Sequence, residues 1–199
     1  MHHKLIKREG KRWLPKQKCS IEKPLIQKNK PEDILKTLAL QQGQKIADIG
    51  AGGGYFSLRF AEAVGKQGVV YAIDTDSGKI KFVRRSVAEK RLGNVHVVLA
   101  GKESVTLPEK IDLVFLRNVY HHIPNRAEYF AKLRESLRPD GRMAIVEHNP
   151  SGHFSFHSIF EHHVTRETIV EEMTKAGYSL AESIDFLPEQ SCTIFSLKE

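Results

Sequence analysis

A chain of 199 residues, 40% hydrophobic and 28% charged, is long enough for one sizeable core and too short for two full domains. No apolar stretch nears the ~20 residues of a membrane helix, and the N-terminus lacks the apolar core of a secretory signal, so a cytoplasmic protein is expected. Cys19 and Cys192 are too few and too far apart for a disulfide framework or a zinc site, which excludes both.

The net charge of +7 is unevenly placed. Residues 1–30 carry ten Lys or Arg against Glu9 and Glu22, a balance of +8 that leaves the remainder at −1. This segment has no sustained period, and Pro15 and Pro24 interrupt it, so it reads as a basic arm or lid, with Trp13 and Leu14 as its apolar anchor. Residues 31–199 form the domain proper. Its first helix starts near Pro31, with Glu32 and Asp33 set against the helix dipole, and runs to Gly43.

Short apolar strands then alternate with amphipathic stretches, the pattern of a mostly parallel sheet covered by helices on both faces. Strands are expected at 45–49, 69–73, 95–99, 112–116, 142–147, 179–185 and 192–197. Helices are expected at about 55–64, 77–91, 126–137 and 165–176, the last capped by Thr165 and closed at Gly177. Only Phe186 to Ser191 joins the last two strands, a length that suits an antiparallel hairpin.

The first strand runs into Asp48-Ile49-Gly50-Ala51-Gly52-Gly53-Gly54. Glycines at such a turn let the backbone take positive φ and bring its N–H groups against a ligand. A nicotinamide or flavin site requires G-x-G-x-x-G. Here Tyr55 or Ser57 stands where the third glycine belongs, so that fingerprint fails. The turn is instead D-x-G-x-G-x-G. A carboxylate aimed into the crevice would repel a pyrophosphate but suits a ligand with a cationic ammonium group, as in S-adenosylmethionine. Asp74, at the end of the second strand, stands where an acid can accept both hydroxyls of a ribose.

With these features in place, residues 45–147 resemble the class I S-adenosylmethionine-dependent methyltransferases, in their small single-domain group. Asp112-Leu113-Val114-Phe115-Leu116 with Asn118 and Tyr120-His121-His122-Ile123-Pro124 is similar to that group's fourth strand and following loop. Leu137-Arg138-Pro139-Asp140-Gly141-Arg142 is similar to the turn before its fifth strand. The resemblance implies a Rossmann-like, doubly wound α/β fold with seven strands in the order 3-2-1-4-5-7-6. It also implies S-adenosyl-L-methionine as cofactor and S-adenosyl-L-homocysteine as product. Around the turn the implied cofactor residues are Asp48, Gly50, Ala51, Gly52, Gly54 and Tyr55, at the methionine end. Asp74, Thr75 and Asp76 would serve the ribose side, with Lys102 and Glu103 after the third strand and Asn118 beside the methyl group. In one departure, Ala100-Gly101-Lys102-Glu103 stands where the group has Gly-Asp. Lysine cannot accept from an adenine amino group, so Glu103, or backbone and packing, would have to serve.

Methyl transfer from a sulfonium is an in-line displacement that depends on alignment in a dry pocket. Where the acceptor carries a proton, a histidine can serve as base. Tyr120, His121 and His122 follow the fourth strand at the ligand-binding edge, and His148 opens a histidine-rich connection with His153, His157, His162 and His163; these are the candidate acceptor-side residues. His153 and His157 have a metal-ligand spacing but no acid or thiol partner, so no metal is expected. The loop after the fourth strand lacks the Asp or Asn-Pro-Pro-aromatic run of base-amine methylation, and neither cysteine follows a proline as C5 methylation of pyrimidines requires. A small-molecule acceptor is the leading expectation. An RNA or protein methyltransferase using the basic arm on RNA or an anionic surface, and a non-catalytic cofactor-binding module, stay open.

Overall fold

Pro31 at the first turn, with Glu32 and Asp33 behind it, opens the first helix of the computed structural model, which describes residues 30–148, 164–184 and 190–198. The helix, α1 (Pro31–Leu38), is shorter than its pattern suggests: Ala39 turns left-handed at φ 46° and its N–H closes on the Lys36 carbonyl. Gly43, at φ 83°, therefore serves the loop into the sheet rather than the end of the helix.

The chain then alternates through β1 (Lys45–Ile49), α2 (Tyr55–Val64), β2 (Val69–Asp74), α3 (Ser77–Glu89), β3 (Val95–Leu99) and β4 (Ile111–Arg117). After a 3₁₀ turn at Tyr120–His122 come α4 (Arg126–Leu133), a second 3₁₀ turn, β5 (Leu137–His148), α5 (Arg166–Lys175), β6 (Tyr178–Ile184) and β7 (Gln190–Leu197). The seven strands lie in the order β3-β2-β1-β4-β5-β7-β6. All pairs from β3 to β5 are parallel, while β7 runs antiparallel to both β5 and β6. This is the doubly wound order expected from the resemblance.

Two further boundaries differ from the sequence pattern by more than two residues. The helix expected over 126–137 tightens to 3₁₀ geometry at Arg134–Ser136. The fifth strand begins at Leu137 instead of 142, because Leu137 already pairs with Ile111 before a register shift carries the ladder to Leu113 and Arg142. Thr165 caps α5 as expected, its hydroxyl accepting from the Thr168 N–H.

Each strand buries residues on both faces, as a parallel sheet between helical layers demands. Ile46, Val70, Leu113, Phe115 and Ala144 pack with Phe56 and Phe60 of α2, Ile34 and Leu38 of α1 and Val83 of α3. Ala47, Ile73, Val114, Leu116 and Ile145 pack on the other face with Phe130 and Leu133 of α4 and Ile169 and Met173 of α5. Parallel pairing puts the loops that follow β1, β2 and β4 at the C-terminal edge, where ligands bind in such sheets. Among the described residues no helix is long and apolar enough to cross a membrane. The basic arm up to residue 29, with Trp13 and Cys19, and the histidines from His153 to His163 lie outside the described residues.

Candidate active site

Alternation along β1 turns Asp48 to the α2 face, where it is 3% exposed. Ser57, in the first turns of α2, donates its hydroxyl to Asp48 Oδ2. Burial pushes the Asp48 carboxyl up to about 7, against hydrogen bonds from the Ser57 side chain and backbone that lower it; the nearby Asp74 charge adds to the rise. A buried acid held at that threshold is a place for a cation: an ammonium beside it would favour the ionised form.

The glycine turn reaches the cleft through Gly50. Gly50, Gly52 and Gly54 have φ of 75°, 57° and 78°. The N–H groups of Gly50 and Ala51 donate to the Ile73 carbonyl at 2.8 and 2.9 Å, tying the turn to β2. A Cβ on Gly50 would stand 2.7 Å from Val119 Cγ2, so only glycine lets the loop after β4 approach the turn.

Asp74, 6% exposed, ends β2 two residues past the partner of Asp48 in the parallel register. Its Oδ2 accepts the Gly52 N–H at 2.9 Å and its Oδ1 the Asp76 N–H at 2.9 Å. Each oxygen keeps a second lone pair for a ligand hydroxyl. Lys79 Nζ lies 3.9 Å from Oδ2. Asp76 itself caps α3, its Oδ1 accepting from Gly78 and Lys79, so it orders the start of that helix.

A cleft of about 310 Å³ opens beside these groups, between Asp74, Thr75 and Lys102 on one side and Asn118, His122 and Tyr129 on the other. Its size suits a small organic ligand. Lys102 lines this cleft; Glu103, the alternative adenine acceptor, is exposed and lies off its walls, as does the half-exposed Tyr55. Thus Gly50, Asp74, Thr75, Lys102 and Asn118 line the cleft, while Asp48 is buried behind the turn and Ala51, Gly52, Gly54, Asp76 and Glu103 lie off its walls.

The acceptor-side candidates separate. Tyr120 is fully buried, stacks on Phe130 at 5.1 Å and donates its hydroxyl to Glu172 Oε2 at 2.7 Å; burial and that carboxylate push its own ionisation far up. It is built into the α4–α5 core rather than the cleft wall, which departs from its expected place. His122 lines the cleft, and burial followed by the neighbouring His121 lowers its imidazole below the ordinary range. His121 turns to β5, its Nδ1 3.1 Å from Glu147 Oε1. His148, the exposed last residue of β5, gives its backbone N–H to the same oxygen at 3.0 Å.

Three residues at this edge lie outside the motifs. Glu147 is 1% exposed, a lone acid ending the apolar run Met143 to Val146. That isolation in an otherwise buried strand was the available signal. Gln190 donates to Asn118 Oδ1 at 2.6 Å and accepts from Arg117 at 3.1 Å, holding Asn118 in its left-handed φ of 52°. Arg117 lies over the Phe56 ring at 5.1 Å, and burial lowers its guanidinium from the ordinary value. Gln190 reaches the site only because β7 inserts beside β5, which no local pattern announces. Among the described residues no group of three or more His, Cys, Asp or Glu could hold a metal.

A sequence-family model described as a methyltransferase domain matches residues 40–189. The ubiquinone/menaquinone biosynthesis C-methyltransferase UbiE of Shewanella pealeana is 24% identical over 164 residues, covering 78% of this chain and 65% of the relative. Against this and two further curated relatives the chain spans 50% to 65% of their length. Among solved structures, a SAM dependent methyltransferase from Aquifex aeolicus superposes with a TM-score of 0.78 at 19% identity, over 88% of this chain and 94% of that one. The [4+2]-cyclase SpnF shares the fold at a TM-score of 0.72 and 12% identity, over 85% and 80% of the two chains.

Proposed function

This chain belongs to the methyltransferase-domain family, in its class I S-adenosylmethionine-dependent branch, and on that premise we propose that it methylates a small molecule held at the β4–β5 edge of the cleft. Because a cyclase shares the fold, the reading rests on side chains and not on architecture. The observation that carries it is the pairing of Asp48 and Asp74 across one glycine turn, the first suited to an ammonium and the second to ribose hydroxyls.

The residues present fit the cofactor. Asp48 would hold the amino group of the methionine end, beside the glycine backbone, and Asp74 the ribose. Thr75 and Lys102 would flank the base, with its contact made by backbone and packing, since Glu103 stands away. When bound, the cofactor supplies an electrophilic methyl group. The chain's own contribution is alignment: Asn118, fixed by Gln190, and His122 form the wall against which an acceptor would rest.

The names of the curated relatives support a quinone-type ring as the first acceptor to test. A methyl electrophile needs an electron-rich partner, so the reduced, hydroxylated ring is the form to offer. Calorimetry with S-adenosylhomocysteine tests the site, and labelled cofactor with small-molecule fractions and reduced quinones tests the transfer. Equal binding by wild type and Asp74→Ala would overturn the assignment; label appearing only in RNA or protein would overturn the small-molecule acceptor.

A further inference from the structure

Glu147 is the most buried acid in the described part of the chain, and its Oε2 has no hydrogen-bond partner there. Its other oxygen accepts the His148 backbone N–H at 3.0 Å and lies 3.1 Å from His121 Nδ1, at ion-pair distance. Burying a carboxylate with spare acceptor capacity is costly, and a purely structural site would rarely retain it. His121 Nε2 has no partner among the described residues, and the ring lies 3.9 Å, centre to centre, from that of His122, which lines the cleft. The pair thus stands at the ends of β4 and β5, on the acceptor side.

Resting on the methyltransferase reading, we infer that His121 is the general base for a hydroxylated aromatic acceptor and Glu147 its positioning residue. With Glu147 accepting from Nδ1–H, the neutral ring is held in the tautomer whose Nε2 lone pair is available, and the carboxylate then stabilises the imidazolium that forms. The acceptor O–H bond breaks, its electron pair stays on the acceptor and its proton goes to Nε2. That charge supplies the pair that bonds the methyl carbon, at the oxygen or at a ring carbon beside it, while the carbon–sulfur pair leaves on sulfur. At carbon, the ring hydrogen then moves to the oxygen, so either route releases one proton, which His121 passes to water. An acceptor with no proton to lose would have no use for the pair.

The groups facing His121 are Glu147 on β5 and His122 in its own turn; Lys79 and Lys102 bear on His122 from across the cleft. Asp48 also titrates near neutrality, so the profile is measured as kcat at saturating cofactor, where its effect on cofactor affinity drops out. The probes are 1,4-naphthohydroquinone and catechol. Wild type should lose kcat on acidification as the base takes up a proton. His121→Asn should fall at least about 100-fold, lose that limb and recover part of its rate with added imidazole, within the usual span of base catalysis. Glu147→Gln should fall about tenfold and move the limb to lower pH, because the imidazolium loses its carboxylate. Nitrogen NMR of the ligand-free protein at pH 8 should show His121 as the Nδ1–H tautomer. An Nε2–H tautomer, an unchanged acid limb in His121→Asn, or no label in either probe by a wild type that still binds S-adenosylhomocysteine would each overturn the inference and leave the cofactor site standing. Loss of S-adenosylhomocysteine binding in wild type would instead overturn the methyltransferase reading beneath it.

Discussion

The Gly52 N–H donates to Asp74 Oδ2 at 2.9 Å, so the acid at the end of β2 also staples the glycine turn at the end of β1. Ligand site and turn are one construction. Asp74→Ala should therefore lower S-adenosylhomocysteine affinity by about 100-fold or more and also lower the melting temperature, since it takes the acceptor from the part-buried hydrogen bonds of the Gly52 and Asp76 N–H groups. Asp74→Asn keeps one carbonyl acceptor and should lose less of both. Calorimetry and thermal melting on the two variants separate the ligand contact from the staple.

Asp48 sets a pH dependence with a definite sign. Its folded carboxyl holds a proton up to about pH 7, whereas an unfolded one releases it above 3.8. Between those values the folded state binds more protons, so this group's contribution to stability is full below pH 3.8 and is lost as pH rises through 7. The loss is on the order of 4 kcal/mol, the equivalent of that interval. An ammonium ligand requires the ionised form. Affinity for S-adenosylhomocysteine should thus weaken below pH 7 and approach about a tenfold loss for each further pH unit. Asp48→Asn should raise the melting temperature of the ligand-free protein at pH 8 while abolishing most ligand binding. A variant that neither gains stability nor loses affinity would refute the assignment of Asp48 to the ammonium.

Much of this was legible in the chain. The strand-turn-helix-strand frame of residues 45–74 announces itself because strand burial, positive-φ glycines and two acids are all local features, and the structure places them as their order suggests. Element ends were less legible, since Ala39 leaves α1 by a left-handed turn that an alanine does not signal. Long-range contacts were illegible for a different reason. Tyr120 sits among loop residues, and only its partner Glu172, some fifty positions away on α5, draws it into the core. Gln190 likewise gains its meaning from the insertion of β7 beside β5.

The approach of Val119 to Gly50 couples the two loops that bound the cleft. Gly50→Ala places a Cβ 2.7 Å from Val119 Cγ2 and asks an L-residue to hold φ 75°. The contact and the dihedral are separable. Val119→Gly in the same chain removes the contact, which Val119→Ala would not, because the Val119 Cβ itself stands 2.8 Å from the new atom; the left-handed strain, which costs roughly 1–2 kcal/mol, stays. The double variant should recover part, and not all, of the melting temperature and cofactor affinity lost by Gly50→Ala. Full recovery would mean that backbone conformation is unimportant there; no recovery would mean that the contact is.

Tyr120 distinguishes a cleft residue from a core residue. Its hydroxyl and the Arg126 guanidinium converge on Glu172, with Arg126 Nε at 2.6 Å and Nη2 at 2.8 Å from the two carboxylate oxygens. Tyr120→Phe removes one donor from that carboxylate while keeping the ring stacked on Phe130, and the Arg126 pair still satisfies Glu172. The expected loss is about 1–3 kcal/mol of stability. Denaturant unfolding reads that loss, and calorimetry with S-adenosylhomocysteine should show binding unchanged at a temperature where the variant is folded. Methyl transfer should also persist, because the phenol is spent on joining α4 to α5 and is fully buried. A variant that unfolds like wild type but has lost transfer would return Tyr120 to the acceptor pocket.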